Sequence, residues 1–483
     1  MSIQSIIGAG NKTPGIFMQV SLGAGARSSG AAGKKVLLFG NKIAAGIAVA
    51  ETPVAIGSKD DAITYFGAGS ELALMCEAAL DRFKFIQLFA VVVTETGAAA
   101  AGTRVFSGTA TEANTFIFWI GAKKYTHTVS IGDTATVVGD AVALLVNNDT
   151  DSPVTAANVT GTVTLTAKNL GIRGNHIRLV SQGVVAGITH TTSATYLAGG
   201  TGQDDAQAAL DAVAGTRYHY LVPASSVIAE LTKFRTHVRT TAEPANGKRS
   251  RFIAASIDTY ATAVAVAVAL NAGRGQYVWH YNAFETPAII AAAAAAELAE
   301  AYERTPAFNT SGLKIAGILP QLVDADRPTA TEMNNALNNG MTVLSDVSGE
   351  VRITRSVTTQ SLDDSSNPDY RVIDTHFVEV ADAVADDIEI NFASEFGEAL
   401  LVPDIEGQMP EPGEVSPLTG KDFIVNRLNV YGPGGAGNRL LAVVDSDIVL
   451  TEIDDATPTK MNGVIPINPV ELFIQGAFDV RQI

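Results

Sequence analysis

The feature of this sequence that comes closest to a chemical site is a glycine-rich loop late in the chain. Gly432, Gly434 and Gly437 have the G-x-G-x-x-G spacing of dinucleotide-binding loops. Such a loop holds a pyrophosphate only where it opens a helix, because the helix N-terminus supplies the amide donors. Residues 440–444, however, form a strand-like apolar run. We therefore expect a surface loop here and predict no cofactor.

Metal sites and nucleophiles are poorly supported by the other candidates. The seven histidines include no i,i+4 pair of the kind that a helical metal site uses, and His219 and His280 fall in predicted strands, which is typical of buried structural histidines. The carboxylate pairs at 324/326 and 445/447 lack the glycine and distal glutamate of a calcium loop. Cys76 is the only cysteine and lies on the apolar face of a predicted helix. We predict no metal site, no catalytic residue and no enzymatic activity.

The charge balance argues against two classes of partner. Lysine and arginine total 33 against 50 acidic residues, a formal net charge of −17. Without an excess of cations, the chain is not expected to bind nucleic acid or an anionic membrane. The N-terminus lacks the pattern of a signal peptide, and the longest apolar run, residues 286–296, is shorter than the roughly 18 residues of a membrane span. We expect the chain to fold in a cytoplasm.

The order of local patterns predicts five parts. Residues 1–33 are rich in Gly, Ala and Ser without a periodic apolar face and predict an N-terminal arm. Residues 34–100 and 201–463 alternate strand and helix patterns and predict the two parts of a core. Residues 101–200 carry short Thr- and Val-rich strands and predict an inserted β-rich domain, and residues 464–483 predict a C-terminal arm. The predicted fold class is α/β (α+β): a core of mixed sheet with flanking helices, plus a β-rich inserted domain and extended N- and C-terminal arms.

Capping residues predict where two helices begin. Thr286 precedes Pro287 at the start of an alanine-rich stretch, a combination typical of a helix N-terminus. Thr329 and Glu332 have capping-box spacing, and Gly340 can end the helix that follows.

Three other segments are predicted from pattern alone. The Ala/Val alternation over residues 261–270 is ambiguous and is interpreted as helix from the surrounding rhythm, and residues 404–420 are interpreted as a loop rich in Pro, Gly and acid. Residues 134–146 predict one amphipathic helix with five apolar residues directed inward. These are Val137, Val138, Ala141, Leu144 and Leu145.

Residues 286–359 carry the motifs of a known family. After the alanine-rich helix come Thr305-Pro306, the run LKIAGI at residues 313–318, and Arg327-Pro328-Thr329, and the stretch ends in G-x-V-x-I-x-R-x-x-T-T at residues 349–359. This stretch resembles the core of the tail sheath proteins of contractile-tailed bacteriophages and related contractile injection systems. Pro14-Gly15 resembles the turn near the start of that family, and the order of the parts is similar along nearly the whole chain. The chain departs from the family at residues 404–420 and 477–483.

This resemblance implies a structural function, with the inserted domain at residues 101–200 facing outward. Sheath subunits form stacked hexameric rings, threaded together by exchanged N- and C-terminal strands around an inner tail tube. Contraction then drives the tube through the host envelope. The implied partners are other copies of this chain, the tail tube protein, and the baseplate and tail terminator proteins. The implied location is the virion, after assembly in the cytoplasm of the bacterial host.

The two ends are the candidate interaction sites. Fixing a backbone costs about 1–2 kcal/mol per residue and each backbone hydrogen bond contributes about 1 kcal/mol, so an isolated arm should not order by itself. It can order on a neighbour that offers a sheet edge and apolar pockets. The residues predicted to take part in strand exchange are Ile3, Ile6, Ile7, Pro14, Gly15, Val470, Leu472, Phe473 and Ile474. Of these, Val470, Leu472 and Ile474 should share one face and Phe473 should lie on the other.

Two other functional classes remain open from the sequence. A Rossmann-like nucleotide-binding enzyme would use the glycine-rich loop at residues 432–437. A secreted or surface-layer structural protein would explain the acidity, the Thr/Ala content and the β-rich blocks. A tail tube protein is a third candidate within the same machinery, although tube subunits are usually much shorter.

Overall fold

The structure is a computed structural model. The residues that it describes are 33–243, 246–363, 365–369, 373–453, 455 and 460–474.

The strands are numbered in chain order. They are β1 (Lys35–Gly40), β2 (Val54–Ile56), β3 (Gln87–Val92), β4 (Ala99–Gly108), β5 (Asn114–Ile120), β6 (Lys123–Val129), β7 (Val154–Val159), β8 (Thr162–Leu170), β9 (Leu179–Gln182), β10 (Ile188–Thr192), β11 (Tyr220–Pro223), β12 (Arg251–Ser256), β13 (Gly275–Trp279), β14 (Met341–Val347), β15 (Glu350–Arg355), β16 (Leu400–Leu401), β17 (Glu414–Val415), β18 (Leu441–Val443), β19 (Leu450–Ile453), β20 (Met461–Val464) and β21 (Asn468–Pro469).

The helices are numbered in the same way. They are α1 (Lys59–Phe66), α2 (Glu71–Arg82), α3 (Ala135–Asn148), α4 (Gln207–Val213), α5 (Ile228–Thr241), α6 (Tyr260–Leu270), α7 (Pro287–Arg304), α8 (Ala330–Asn338), α9 (Thr375–Phe396) and α10 (Pro417–Tyr431).

The largest sheet has eight strands in the order β15-β14-β13-β12-β11-β1-β3-β2. The six inner strands run parallel, whereas β2 and β15 are antiparallel to their neighbours at the two edges. Every residue of β11, β12 and β13 is buried. Strands buried on both faces need helices on both faces, and here α2 and α7 cover one face while α4, α5, α6 and α8 cover the other. The predicted mixed α/β class is confirmed.

The alanine content of α7 has a packing reason. Thr286 is the N-cap and Pro287 the first helical residue, as predicted. The helix packs against α2 and against the sheet strands β11 and β12, and its alanines from Ala291 to Ala296 are at most 1% exposed. Small side chains let the helix approach both neighbours closely. The predicted helix over residues 261–270 is confirmed as α6, and the predicted capping box is present at the start of α8.

Between β3 and β11 the chain forms two smaller antiparallel sheets, ordered β10-β4-β8-β7 and β6-β5-β9, which enclose a separate apolar cluster with α3. The helix itself was predicted, but its buried face was wrong in part. Val138, Val142 and Val146 are buried, whereas Val137 is 49% and Leu144 60% exposed. The proposed limits of this insertion, 101–200, stay a prediction.

A third layer of structure follows the main sheet. Helices α9 and α10 pack with β18 and with Val449, which precedes β19, around a further apolar cluster. Helix α9 was not predicted from the sequence, and the predicted loop at residues 404–420 is too long. Residues 400–401 pair with 414–415, and α10 begins at Pro417, where Ser416 and Thr419 form a capping box.

Candidate functional site

Five of the predicted exchange residues precede the described part of the chain. These are Ile3, Ile6, Ile7, Pro14 and Gly15. They lie outside the described residues, so their part in strand exchange stays a prediction.

The C-terminal segment, defined here as residues 465–474, contains the other four. Val470, Leu472 and Ile474 are partly buried and alternate with exposed residues, and Phe473 is 77% exposed. The backbone N–H of Val470 donates to the carbonyl oxygen of Leu440 at 2.9 Å. The alternation of faces is therefore the one that the sequence predicts.

Among the described residues, no continuous ladder holds this segment. Its only strand is β21, two residues long, which pairs antiparallel with β18. Residues 471–474 are in no strand, and Phe473 is held by one hydrogen bond at 3.1 Å from the side-chain amide of Asn309 to its carbonyl oxygen. The predicted strand at residues 470–474 is thus absent from the single chain, and its pairing with another copy stays a prediction.

The hairpin that precedes the segment exposes apolar surface. Within the described residues, strands β19 and β20 form a two-stranded sheet, and Thr451 Oγ1 on β19 donates to the carbonyl oxygen of Pro417 at 2.7 Å. Leu450 and Val464 are directly opposite each other in the antiparallel register, and each is 59% exposed. An isolated hairpin is marginal in water, and an exposed apolar cross-strand pair is a surface on which a further strand can pack.

The first turns of α9 lie against the amino ends of the sheet strands. Glu379 is nearly fully buried and accepts three hydrogen bonds, from Lys34 Nζ at 2.8 Å, Tyr220 Oη at 2.7 Å and Arg251 Nη1 at 3.0 Å. Burial alone would raise the pKa of the Glu379 carboxyl, but Lys34 and Arg251 outweigh it and lower that pKa to about 2. The carboxylate is therefore charged and fully paired.

Further acidic residues continue this stripe along α9. Asp382 forms two 2.7 Å hydrogen bonds with Arg274, which directly precedes β13. Asp386 lies 2.7 Å from Arg249 Nη1 and 2.8 Å from Arg217 Nη1. Positions 379, 382 and 386 have the spacing of one helix face, which is the signal that could have revealed this helix in the sequence. The arginine partners could not have been foreseen without the strand order.

The glycine-rich loop is in the wrong context for a nucleotide. Gly432 is the C-cap of α10, so the loop follows the negative end of a helix dipole, which disfavours phosphate. After the loop the chain enters β18, as predicted. The interpretation of this segment as a loop leading into a strand is confirmed.

The two histidines and the cysteine that were considered as candidate site residues lie in the buried surroundings typical of structural side chains. His219 accepts a hydrogen bond at Nδ1 from the Lys35 N–H at 3.0 Å, and burial and neighbouring cations lower its pKa to about 3. His280 is fully buried, and burial lowers its pKa to about 4. Cys76 is also fully buried, which raises the pKa of its thiol. Among the described residues there is no group of three or more His, Cys, Asp or Glu that could hold a metal ion.

A cavity of about 80 Å³ lies where the insertion meets the main core. Ile120 and Ile177 from the insertion and Phe284 and Ile289 from the core give it a mainly apolar wall. Glu285 also borders it, and burial raises the pKa of this carboxyl to about 7. None of the described helices is both long and apolar enough to span a membrane.

Comparison with known proteins agrees with the motifs. Residues 199–359 match the family model described as "Phage tail sheath protein central domain". The "Mu-like prophage FluMu tail sheath protein" of Haemophilus influenzae is 38% identical over 147 residues. That alignment spans 30% of this chain and 30% of the relative's own length.

The fold is also similar to a solved structure. The crystal structure of a sheath tail protein from Desulfitobacterium hafniense covers 95% of this chain and 100% of its own, with a TM-score of 0.50 and 13% sequence identity. At that identity the likeness concerns the fold alone. The resemblance to tail sheath proteins carried by residues 286–359 is confirmed by the family match.

Proposed function

From the phage tail sheath central domain that this chain carries at residues 199–359, we propose that the protein is a structural tail sheath subunit and not an enzyme. Its copies assemble as stacked hexameric rings around a tail tube. Contraction of this polymer drives the tube through the host envelope. The N- and C-terminal arms join the copies by strand exchange.

The exposed apolar pair on the hairpin β19–β20 supports this proposal. The two strands of this hairpin form a sheet of their own within the described residues, and Leu450 and Val464 expose apolar surface on it. Strand addition at such an edge satisfies backbone groups and covers the apolar pair in one step. A head-to-tail contact of this kind need not close on itself, so it can extend into a stacked tube.

Each end of the chain supplies one side of the exchange. Ile3, Ile6 and Ile7 are the apolar anchors of the N-terminal arm, and Pro14 and Gly15 form its turn. At the other end, Val470, Leu472 and Ile474 face a neighbouring copy's sheet while Phe473 packs on the opposite side. In the isolated subunit residues 471–474 form no strand, and the described hydrogen bond from Asn309 to Phe473 is all that must break for these four residues to pair elsewhere.

The remaining partners follow from the position of a sheath in a tail. The tail tube protein lies inside the polymer, and the baseplate and tail terminator proteins contact its two ends. The protein is a virion component that is assembled in the host cytoplasm. The net charge of −17 gives it no means of binding nucleic acid or an anionic membrane by charge.

Electron microscopy of the expressed chain tests the proposal. We expect long hollow polymers from the full chain, and folded monomers after deletion of residues 2–15 or 470–483. Leu450→Lys with Val464→Lys should also block polymerisation, because charged side chains then occupy the edge that a strand must cover.

The matched control is Val159→Lys, which changes an apolar strand residue of the insertion that is 69% exposed. It should leave polymers intact. Polymers that form equally well from the Leu450/Val464 double variant would contradict the proposed edge. A full chain that stays monomeric under all conditions would contradict the sheath function itself.

A further inference from the structure

The two ends of the described chain are held by neighbouring residues of one helix. Nε2 of His376 lies 3.0 Å from the carbonyl oxygen of Val470, in the C-terminal segment. Glu379 lies 2.8 Å from Nζ of Lys34, which directly precedes β1. Residues three apart on a helix are surface neighbours, so both contacts are made within a single turn of α9.

Both contacts are partly buried, and the α9 residue in each is buried. His376 is fully buried, and the side chains of Glu379 and Lys34 are 4% and 18% exposed. A buried carboxylate loses far more when a partner is removed than an exposed one, because water cannot replace the lost charge. The Lys34 contact is therefore a specific restraint on the first turns of α9.

The same turn is fixed to the rest of the core. Oγ1 of Thr375 lies 2.6 Å from Oη of Tyr302 on α7 and donates to Oγ of Ser356 at 2.9 Å. Directly before the helix, Asp374 accepts two hydrogen bonds from Arg355, at 2.6 and 2.7 Å. The start of α9 is thus a rigid reference for both ends.

We propose that the first turns of α9 couple the root of the N-terminal arm to the C-terminal segment, with Glu379 and His376 as the positioning residues. The inference rests on the proposed function, because it concerns the two segments that join copies of the chain. A force on the arm at Lys34 is transmitted through Glu379 to His376 and from there to Val470. The two connections of a subunit then respond together when the polymer changes shape.

The substitution Lys34→Met tests this coupling. It removes the ammonium group but leaves Arg251 and Tyr220 on Glu379, so the buried carboxylate keeps two partners. The probe is hydrogen exchange at the Val470 amide, measured on the full chain below the concentration at which it polymerises. Because coupling free energies between sites correspond to roughly 5- to 150-fold effects, we expect exchange at Val470 to be at least about fivefold faster.

Two variants separate coupling from a general loss of stability. Lys35→Met removes a positive charge from the next residue without touching Glu379, and it should leave exchange at Val470 unchanged. Lys34→Arg retains the charge and should restore slow exchange. Equal exchange in the two methionine variants would overturn the proposal, and so would fast exchange that the arginine variant fails to slow.

The coupling must also act in the opposite direction, because linkage is reciprocal. His376→Phe removes the donor to Val470 and keeps the buried ring volume. It should increase the rate of trypsin cleavage after Lys34 by a similar factor, and an unchanged rate would count against the proposal. These measurements use monomers, so failure of the coupling is distinct from failure of the sheath function, which shows as the absence of polymers from the unsubstituted chain.

Discussion

Arg104 Nη2 donates a hydrogen bond to the carbonyl oxygen of Trp119 at 2.8 Å, and it thereby joins the two sheets of the insertion. Arg104 lies on β4 of the four-stranded sheet, whereas Trp119 lies on β5 of the three-stranded one. The same nitrogen donates to the carbonyl oxygen of Val180 on β9 at 3.0 Å. The arginine is fully buried, and burial lowers its pKa to about 9.

Arg104→Ala should therefore loosen the contact between the two small sheets. It removes two hydrogen bonds from a charged donor, each of which contributes about 1.5–3 kcal/mol, so a loss of about 3–6 kcal/mol is expected. Urea unfolding of the full chain, followed together with hydrogen exchange at β5 and β9, measures this loss.

A control near the same strand is Lys124→Ala. Nζ of Lys124 lies 5.5 Å from the ring centroid of Trp119 at an exposed position, so its loss should cost about 1 kcal/mol or less. If Arg104→Ala proved no more destabilising than Lys124→Ala, Arg104 would not be what joins the sheets.

The backbone of Thr359 lies close to Gly340, which explains why the motif at residues 286–359 has a glycine at position 340. Gly340 has a φ of +76°, and a Cβ there would lie 2.8 Å from both Cα and the carbonyl oxygen of Thr359. Gly340→Ala should destabilise the chain by at least about 2 kcal/mol, since a strained backbone and a steric clash add together. Thermal unfolding with the melting temperature as the readout measures this.

The substitution Gly349→Ala separates the effect of the strained backbone from the effect of the steric clash. Gly349 has a similar φ of +79°, but nothing lies within 4 Å of a Cβ built there. It should cost only about 1 kcal/mol, the cost of the backbone conformation alone. Equal losses in the two variants would mean that the approach to Thr359 does not matter.

The predictions from the sequence were most accurate where one or two residues determine where a helix begins. Pro287 marks the start of α7, because proline has a helical φ and lacks the N–H that the first turn leaves unpaired. Thr329 with Glu332 marks the start of α8, because their capping box satisfies backbone donors locally. Ser416 and Pro417 carry the same kind of signal for the start of α10, but the proline was interpreted as part of a loop.

The predictions failed where the burial or the partners of a residue depend on parts of the chain that are distant in sequence. Helix α3 carries apolar residues around most of its circumference, so only the position of the adjoining sheets decides that Val138 is buried and Leu144 exposed. The acidic stripe of α9 has a visible period, but its arginine partners become neighbours only through the strand order. The Lys34–Glu379 contact was unpredictable for the same reason.

Lys59 should contribute little to the contact between insertion and core. Its Nζ lies 2.6 Å from Glu77 on α2 and 2.7 Å from Asp151 in the insertion, but its side chain is 42% exposed. Pairs this exposed contribute about 0–1 kcal/mol and are screened by salt. We expect Lys59→Met to lower the free energy of unfolding by less than about 1 kcal/mol at low salt and by less still at 1 M salt. A loss that is as large in high salt would indicate packing rather than charge.

Glu285 should make the stability of the chain depend on pH near neutrality. The carboxyl is fully buried, and burial raises its pKa to about 7, although the N–H of Leu319 donates to Oε1 at 2.9 Å. Because the pKa is higher in the folded chain than in the unfolded chain, folding is favoured most below about pH 4.5 and is weakened as the pH rises to about 7. Glu285→Gln keeps the acceptor for Leu319 but cannot ionise.

We expect Glu285→Gln to raise the free energy of unfolding by about 3 kcal/mol at pH 8 and to leave it nearly unchanged at pH 4.5, since each pKa unit corresponds to about 1.4 kcal/mol. Urea unfolding at the two pH values measures the difference. The matched control is Glu297→Gln on α7, another buried glutamate, which is ion-paired with Arg82. Loss of that pair should destabilise the chain at pH 8. A Glu285→Gln variant that is destabilised at pH 8 would mean that the native carboxylate has a partner there and is not held in its neutral form by burial.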